Sequence, residues 1–110
     1  MSSCLILKPQ LVKKGIGSIV SLVETAGCEI EDIFALDVVK EDLYNFFELQ
    51  LKLPTEKEIK SFLGGVSIVI AVAPWVDLTK VAKGEALYFS RSSAQGLVDC
   101  KFWFGSQYKT

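Results

Sequence analysis

The longest apolar run of the chain reads VSIVIAVAPWV and extends from Val66 to Val76. It follows the pair Gly64-Gly65, which favours a turn, and it is broken by Pro74. Before the proline it is rich in β-branched residues and has no polar alternation, which is typical of a strand covered by other elements. A membrane-spanning helix would need roughly 20 apolar residues without such a break. We therefore predict a central strand of a sheet here.

Three other stretches predict strands around this one. The apolar run from Cys4 to Leu7 ends just before Pro9 and is consistent with a buried strand. The segment from Ile30 to Leu36 alternates imperfectly, which predicts a strand with a bulge. From Val98 to Phe104, apolar and polar side chains alternate as they do in a half-exposed strand.

Helical patterns separate these predicted strands. Apolar residues recur at helical spacing over Ile16–Gly27, where the glycine can act as a C-cap. A second amphipathic helix covers Leu43–Leu51, and a third begins with the capping-box pattern of Thr55–Glu58. We predict a last short helix at Asp77–Ala82 and a loop at Ser90–Gly96, which is small and polar.

The order of these elements, β-α-β-α-α-β-α-β, predicts a fold of the α+β class. Split strand-helix-strand pairs build the ferredoxin-like βαββαβ sandwich, in which helices pack on one face of a four-stranded antiparallel sheet. The 110 residues, half of them apolar, are enough for one domain with its own core. We predict a single domain over residues 1–110 without an internal repeat.

Composition and charge limit the classes of function. The chain has 12 Lys or Arg against 13 Asp or Glu, which gives no indication of the clustered basic surface that nucleic acid requires. The cysteines Cys4, Cys28 and Cys100 are odd in number and widely spaced, so they predict core thiols rather than disulfides or a zinc site. The start of the chain has no basic, apolar signal segment. We predict a cytoplasmic protein with no membrane span and no metal site.

The motif Leu7–Pro9 begins a resemblance that covers nearly the whole chain. Gly15 follows it at a matching spacing, and further on Phe62–Gly65 precedes the long apolar strand. In the order and spacing of these motifs, the chain resembles the nucleoside diphosphate kinases, a family built around a phosphorylated histidine. The resemblance implies the family's ferredoxin-like fold. It also implies that Lys8, in the Lys-Pro motif, contacts the transferring phosphate.

The resemblance further implies a residual site for phosphate or nucleotide. Arg91 matches a phosphate-binding arginine of the family, and Ser106 follows the position of the histidine. Lys52 matches another arginine, although a lysine cannot make the same bidentate contact, and Val98 matches a residue beside the base. No resident cofactor is implied, and a magnesium-bound nucleotide would bind poorly after so many lost contacts.

The resemblance fails at the residue that carries the family's chemistry. By spacing, Phe104 stands where the family has its histidine, and the chain contains no histidine at all. A phenyl ring has no lone pair with which to attack a phosphate, so the family's covalent route is closed. The loop that caps the nucleotide is shortened between Gly84 and Arg91, and the tail stops early at Thr110. These departures predict a pseudoenzyme.

Three functions stay open. The first is an inactive domain that acts as a protein-interaction or scaffolding component of a larger assembly, since related degenerate domains occur in cytoskeletal and ciliary assemblies. Trp103, which alternation places on the outer side of its predicted strand, is the candidate interaction surface. The second is a regulatory module that binds nucleotide without transferring phosphate. The third is an unrelated ferredoxin-like binding domain for RNA or another ligand.

Overall fold

The computed structural model describes residues 3–15, 17–51, 53–76 and 87–105. Among these residues, no helix combines the length and the apolar character that a membrane span requires. The elements are β1 (Ser3–Leu7), α1 (Pro9–Lys14), α2 (Gly17–Thr25), β2 (Glu29–Asp37), α3 (Lys40–Leu49), α4 (Glu56–Phe62), β3 (Val66–Ala73), β4 (Leu87–Phe89) and α5 (Ser93–Phe104).

Strand β3 lies inside the sheet, as its continuous apolar sequence predicts. In the described part of the chain the strand order is β2-β3-β1-β4, and every neighbouring pair is antiparallel. Leu5 of β1 is opposite Ile70 of β3 on one side and Phe89 of β4 on the other. The register of β2 shifts between Ile30 and Asp32, which confirms the predicted bulge. The α+β class and the four-stranded antiparallel sheet are thus confirmed.

Helices cover both faces of the sheet, so the prediction that they pack on one face only was wrong. All five residues of β1 are buried, because successive side chains point to opposite faces and each face is covered. On one face, α3, α4 and α5 pack on Cys4, Ile6, Val69 and Ala71. On the other, residues of α1 and α2 pack on Leu5, Leu7, Ile70 and Val72.

The stretch from Ser90 onward differs most from the prediction. Helix α5 occupies Ser93–Phe104, so the predicted strand was wrong, and of the loop predicted at Ser90–Gly96 only the first three residues are irregular. The Ser92 side chain accepts a hydrogen bond from the Gln95 amide at 3.1 Å and caps the helix. The small polar residues therefore start a helix, because serine satisfies an amide donor that the first turn leaves free.

Alternation over Val98–Phe104 was misleading because more than one face of α5 carries apolar residues. Gly96, Cys100 and Phe104 are buried at the four-residue spacing of a helix, and neighbouring aromatic side chains are half-buried. The fourth strand is β4, whose three residues are too few to show a pattern. The predicted helix at 77–82 lies outside the described residues, as do most of the shortened loop and the tail.

The other helices agree with the prediction, with one addition. The capping box of α4 is confirmed: the Glu58 amide donates to Thr55 Oγ1 at 3.1 Å, and the Thr55 amide donates to Glu58 Oε1 at 3.2 Å. Helix α1 was not predicted. It begins at Pro9, which suits the first helical position because that position needs no amide donor.

The three cysteines are buried thiols, as predicted. Burial, and next a hydrogen bond with Cys100, raises the pKa of Cys4 well above its ordinary value. Burial also raises the pKa of Cys28, whose Sγ donates to the Pro74 carbonyl at 3.3 Å. Thiols of this kind stay protonated at neutral pH and are poor nucleophiles.

Candidate functional site

A cavity of about 960 Å³ opens among α1, α3, α4, β4 and α5. Its charged lining residues in the described part of the chain are Lys8, Lys57, Glu58, Lys60 and Arg91. Cations outnumber carboxylates in this lining, although the whole chain has a formal charge of −1. We call this cavity the basic pocket. A cavity with such a lining attracts anions, because its walls concentrate the field of the charges.

Lys8 is held in the wall of the basic pocket at the junction of β1 and α1. Its carbonyl accepts hydrogen bonds from the Leu11 and Val12 amides at 2.9 and 3.1 Å, which begins the helix. Its side chain is only 8% exposed, and Nζ lies 4.7 Å from the centroid of the Phe62 ring. The ring face stabilises the ammonium group at a place where little water reaches it.

Arg91 enters the same pocket from the segment that joins β4 to α5. The residue is exposed, and its guanidinium carbon Cζ lies 4.6 Å from the centroid of the Phe89 ring. Stacking on an aromatic ring orients a guanidinium group and leaves its N–H donors directed outward from the edge of the plane. Lys8 and Arg91 therefore give the pocket one buried and one accessible cation.

A buried carboxylate lies next to this pocket. Asp99 of α5 is fully buried, and its Oδ2 accepts hydrogen bonds from Tyr88 Oη at 2.6 Å and from Ser90 Oγ at 2.8 Å. Its other oxygen, Oδ1, accepts from Gln95 Nε2 at 2.7 Å. Burying a carboxylate is costly unless donors satisfy it, so this network fixes the side chains that meet at Asp99.

Tyr88 belongs both to this network and to the lining of the basic pocket. Gln50 Nε2 donates to Tyr88 Oη at 2.7 Å, so the hydroxyl accepts from α3 and donates to α5. Burial raises the pKa of the Tyr88 hydroxyl, and the negative charge of Asp99 acts in the same direction. The phenol therefore keeps its proton at neutral pH and shares it with Asp99.

Two solved structures share this architecture over almost their full length. A nucleoside diphosphate kinase from Aquifex aeolicus has a TM-score of 0.76 at 14% sequence identity, over 99% of this chain and 98% of that chain. The apo enzyme from Encephalitozoon cuniculi has a TM-score of 0.79 at 12% identity, over 99% and 92%. The chain has the nucleoside diphosphate kinase fold. No protein-family model and no curated protein matches the sequence, so the likeness concerns the fold alone.

The nucleoside diphosphate kinase fold brings together two of the five residues predicted for a residual site. Lys8 and Arg91 both line the basic pocket. Val98 is 42% exposed on α5 and does not line the pocket, so its predicted place beside a base is not found. Lys52 and Ser106 lie outside the described residues.

Phe104 was matched to the family's histidine on the expectation that it lies on a strand, but the structure has helix α5 at this position. The residue ends α5 and is 8% exposed. Its ring meets that of Phe34 edge to face, with centroids 4.9 Å apart. Phe104 therefore packs in the core and does not line the basic pocket. That the chain has no histidine is independent of this correction.

The prediction that Trp103 faces outward was wrong, because the residue lies on a helix and not on a strand. It is half-buried, and its ring centroid lies 5.1 Å from that of Phe46 and 4.9 Å from that of Phe102. Its Nε1 is buried and has no hydrogen-bond partner within the described residues. Trp103 therefore packs against Phe46 of α3 and Phe102 of its own helix, and only part of its side chain is open to a partner.

The residues around the buried carboxylate were not predicted from the sequence. Gln50, Tyr88 and Asp99 come from α3's C-terminal end, β4 and α5, and nothing in their separate surroundings marks them. One signal was available. If the segment from Ser93 to Phe104 is assigned as a helix, Gln95 and Asp99 lie one turn apart and can interact. A carboxylate next to the apolar residue Cys100 is then expected to be buried, and a buried carboxylate needs hydrogen-bond donors.

Proposed function

We propose that the chain is a regulatory nucleotide-binding module whose basic pocket holds the phosphate groups. The observation that supports this most is the meeting of Lys8 and Arg91 in one cavity, with Lys57 and Lys60 beside them. Ammonium and guanidinium groups bind phosphate oxygens through charge-assisted hydrogen bonds. The volume of about 960 Å³ is also within the usual range for small-molecule sites.

The rest of the lining suits the uncharged parts of a nucleotide. Gln10, Thr55 and Gln95 line the pocket and bring amide and hydroxyl groups that can donate to or accept from a sugar or a base. Such groups fix orientation, whereas the cations supply most of the attraction. The pocket therefore has the mixed chemistry that a phosphorylated, partly polar ligand needs.

The proposed module does not follow the histidine route of the nucleoside diphosphate kinases. These 110 residues contain no imidazole to accept a phosphoryl group. Binding itself can regulate, because a nucleotide that binds only the native state shifts its stability and can change its associations. We therefore place the function in ligand sensing, with a cytoplasmic location still a prediction.

A second candidate function is protein interaction within a larger assembly. A shallower groove of about 400 Å³ is lined by Tyr44, Glu48, Leu51 and Leu53. Leu51 and Leu53 are 97% and 86% exposed. Neighbouring leucines left in water are typical of surfaces that a partner covers. This groove, and not Trp103, supports the interaction role.

Thermal unfolding with ADP and with GTP at millimolar concentration tests the first candidate. Each nucleotide should raise the melting temperature by several degrees, because it stabilises only the native state. Lys8→Met keeps the aliphatic stem but removes the charge, and it should abolish most of the rise. Lys40→Met, on α3 and outside the pocket, is the matched control and should keep it. If no nucleotide raises the melting temperature of the wild type, the binding proposal is wrong and the interaction role becomes the leading one.

A further inference from the structure

Two glutamine side chains in the lining of the basic pocket, Gln50 and Gln95, are tied to the same buried carboxylate. Gln95 Nε2 donates to Asp99 Oδ1 at 2.7 Å, and Gln50 Nε2 lies 3.5 Å from the same oxygen. The two amide groups therefore lie close to each other in one part of the pocket wall. We call Gln50 and Gln95 the glutamine pair. The proposed binding of phosphate groups makes no use of it.

The orientation of each amide group in the glutamine pair is fixed by its partner. A carboxylate accepts hydrogen bonds and does not donate them, so Gln95 must turn its NH₂ group toward Asp99. Tyr88 Oη gives its proton to Asp99 Oδ2 at 2.6 Å, so it can only accept from Gln50, which it does at 2.7 Å. Turning either amide over would bring two acceptors together and would remove a donor from the buried network.

This orientation leaves the carbonyl oxygens as the free groups of the glutamine pair. Within the described residues, neither Oε1 atom accepts a hydrogen bond, and neither is one of the buried side-chain atoms that lack a partner. Both oxygens are therefore open to solvent, on residues that line the pocket. A ligand that reaches this part of the wall meets hydrogen-bond acceptors.

The basic pocket thus has two parts with different chemistry. Phosphate oxygens are acceptors, so the glutamine carbonyls repel them, whereas Lys8 and Arg91 bind them. The part of a nucleotide that faces the glutamine pair must carry hydrogen-bond donors. Guanine has two donor groups side by side, the ring N1–H and the 2-amino group, whereas the amino group of adenine or cytosine lies next to a ring nitrogen that can only accept.

We propose that the basic pocket selects guanine nucleotides over adenine nucleotides, an inference that rests on the proposed function. Gln50 Oε1 and Gln95 Oε1 accept hydrogen bonds from the N1–H and the 2-amino group of guanine. An adenine in the same place turns the lone pair of its N1 toward a carbonyl oxygen, and an unmatched polar group lowers the affinity. Asp99 is a positioning residue, because it touches no ligand and sets which end of each amide group faces the base.

Calorimetric titration of the whole chain with GDP, IDP and ADP tests the selection without any substitution. The three ligands share the sugar and the phosphates and differ only in the base. GDP should bind tighter than ADP by roughly tenfold or more, which corresponds to about one net hydrogen bond. IDP keeps the N1–H and lacks the 2-amino group, so its affinity should lie between the other two.

Substitutions show whether the glutamine pair reads the base. Gln95→Met keeps the length of the side chain and removes the acceptor, so the ratio of GDP to ADP affinity should fall by roughly threefold or more. Asp99→Asn should also lower this ratio, because an asparagine can donate to Gln95 and let its amide group turn over. A merely structural role of Asp99 would instead weaken both nucleotides equally. Asn45→Ala removes an exposed amide group of α3 outside the pocket, and it should keep the wild-type ratio.

The outcomes separate this inference from the proposed function. Equal affinities for GDP and ADP in the wild type, or tighter binding of ADP, overturn the selection and leave nucleotide binding in place. If none of the three ligands binds, both proposals are wrong. A wild-type ratio that persists in Gln95→Met and in Gln50→Met also overturns the inference. If a variant fails to fold, the comparison of GDP, IDP and ADP on the wild type decides the question.

Discussion

Asp99 is a carboxylate that α5 carries into the interior of the protein, where it is fully buried. Tyr88, Ser90 and Gln95 donate hydrogen bonds to its two oxygens. The donors come from β4, from the segment after it and from α5 itself. One side chain thus holds the short edge strand against the helix that follows it, and the stability of this region depends on a polar contact.

Asp99→Ala should therefore destabilise the protein strongly. The change leaves three donors without their acceptor, one of them fully buried (Ser90) and two partly buried (Tyr88 and Gln95), and a buried group left unsatisfied costs about 1–3 kcal/mol. Relaxation will recover part of this, so we expect the free energy of unfolding in urea to fall by about 3 kcal/mol. Glu24→Ala, at an exposed position of α2, is the control and should change it by less than about 0.5 kcal/mol. Equal effects of the two substitutions would show that the network contributes nothing.

Tyr88 makes the free energy of unfolding depend on pH in the alkaline range. Its pKa is raised in the native state, so the native chain still holds the proton where the unfolded chain has lost it. The stability from this group is complete below about pH 10 and is lost as the pH rises further, by at most about 1.4 kcal/mol per pH unit. Urea unfolding at several alkaline pH values should show a shallower loss for Tyr88→Phe than for the wild type. The buried cysteines are present in both proteins and contribute equally to the loss. If the free energy of unfolding falls with pH to the same extent in both proteins, the dependence does not come from Tyr88.

At the scale of elements, α5 depends on its first turn. Ser92 accepts the Gln95 amide, and Gln95 then donates to Asp99 from the same turn. The cap therefore sets where the helix begins and also where the Gln95 side chain points. Losing it should loosen both the helix start and the buried network.

Ser92→Ala should lower the free energy of unfolding by about 1 kcal/mol, the usual loss for an N-cap serine. Ser21→Ala, at an exposed position within α2, serves as the control and should be neutral or slightly stabilising, because alanine favours the helix interior. Guanidinium unfolding of both variants measures the difference. A neutral Ser92→Ala would mean that the cap hydrogen bond is replaced by water without loss.

The sequence predicts best those elements whose pattern is continuous. Strand β3 and strand β1 were predicted because a strand covered on both faces is apolar at nearly every position. The α4 capping box was predicted because two residues three apart carry the whole signal. Strand β4 was missed because three residues are too few to show a periodic pattern. Helix α5 was missed because the seven residues from Val98 to Phe104 fit both the two-residue period of a strand and the period of a helix.

The candidate site was predicted in part. Lys8 was found through a motif within three residues, Leu7–Pro9, and the fold does place it in the pocket. The Tyr88–Asp99–Gln50 network could not be found in the same way, because its members meet only when α3, β4 and α5 pack together. Phe104 was misplaced for a related reason, since its match depended on the wrong secondary structure.

At the scale of the whole molecule, the basic pocket and strand β2 have an excess of charges of opposite sign. The basic pocket carries cations of α4 and of the segments that follow β1 and β4. Strand β2 forms an edge of the sheet, and its exposed acidic residues are Glu29, Glu31, Asp32 and Asp37. Charged side chains on an edge strand discourage pairing with other strands. The formal charge of −1 therefore conceals a local field that favours anions.

This separation predicts that the affinity for nucleotide depends more on where a charge lies than on the net charge of the chain. Arg91→Glu and Lys13→Glu change the net charge equally, but Lys13 is exposed at the end of α1 and does not line the pocket. Calorimetric titration with GTP at low salt should show at least a tenfold loss of affinity for Arg91→Glu, equivalent to about 1.4 kcal/mol, and a much smaller loss for Lys13→Glu. At physiological salt the effect of Lys13→Glu should nearly vanish, because mobile ions screen charges more than about 8 Å apart, while that of Arg91→Glu persists. Equal losses in the two variants would mean that the whole molecule, and not the basic pocket, attracts the nucleotide.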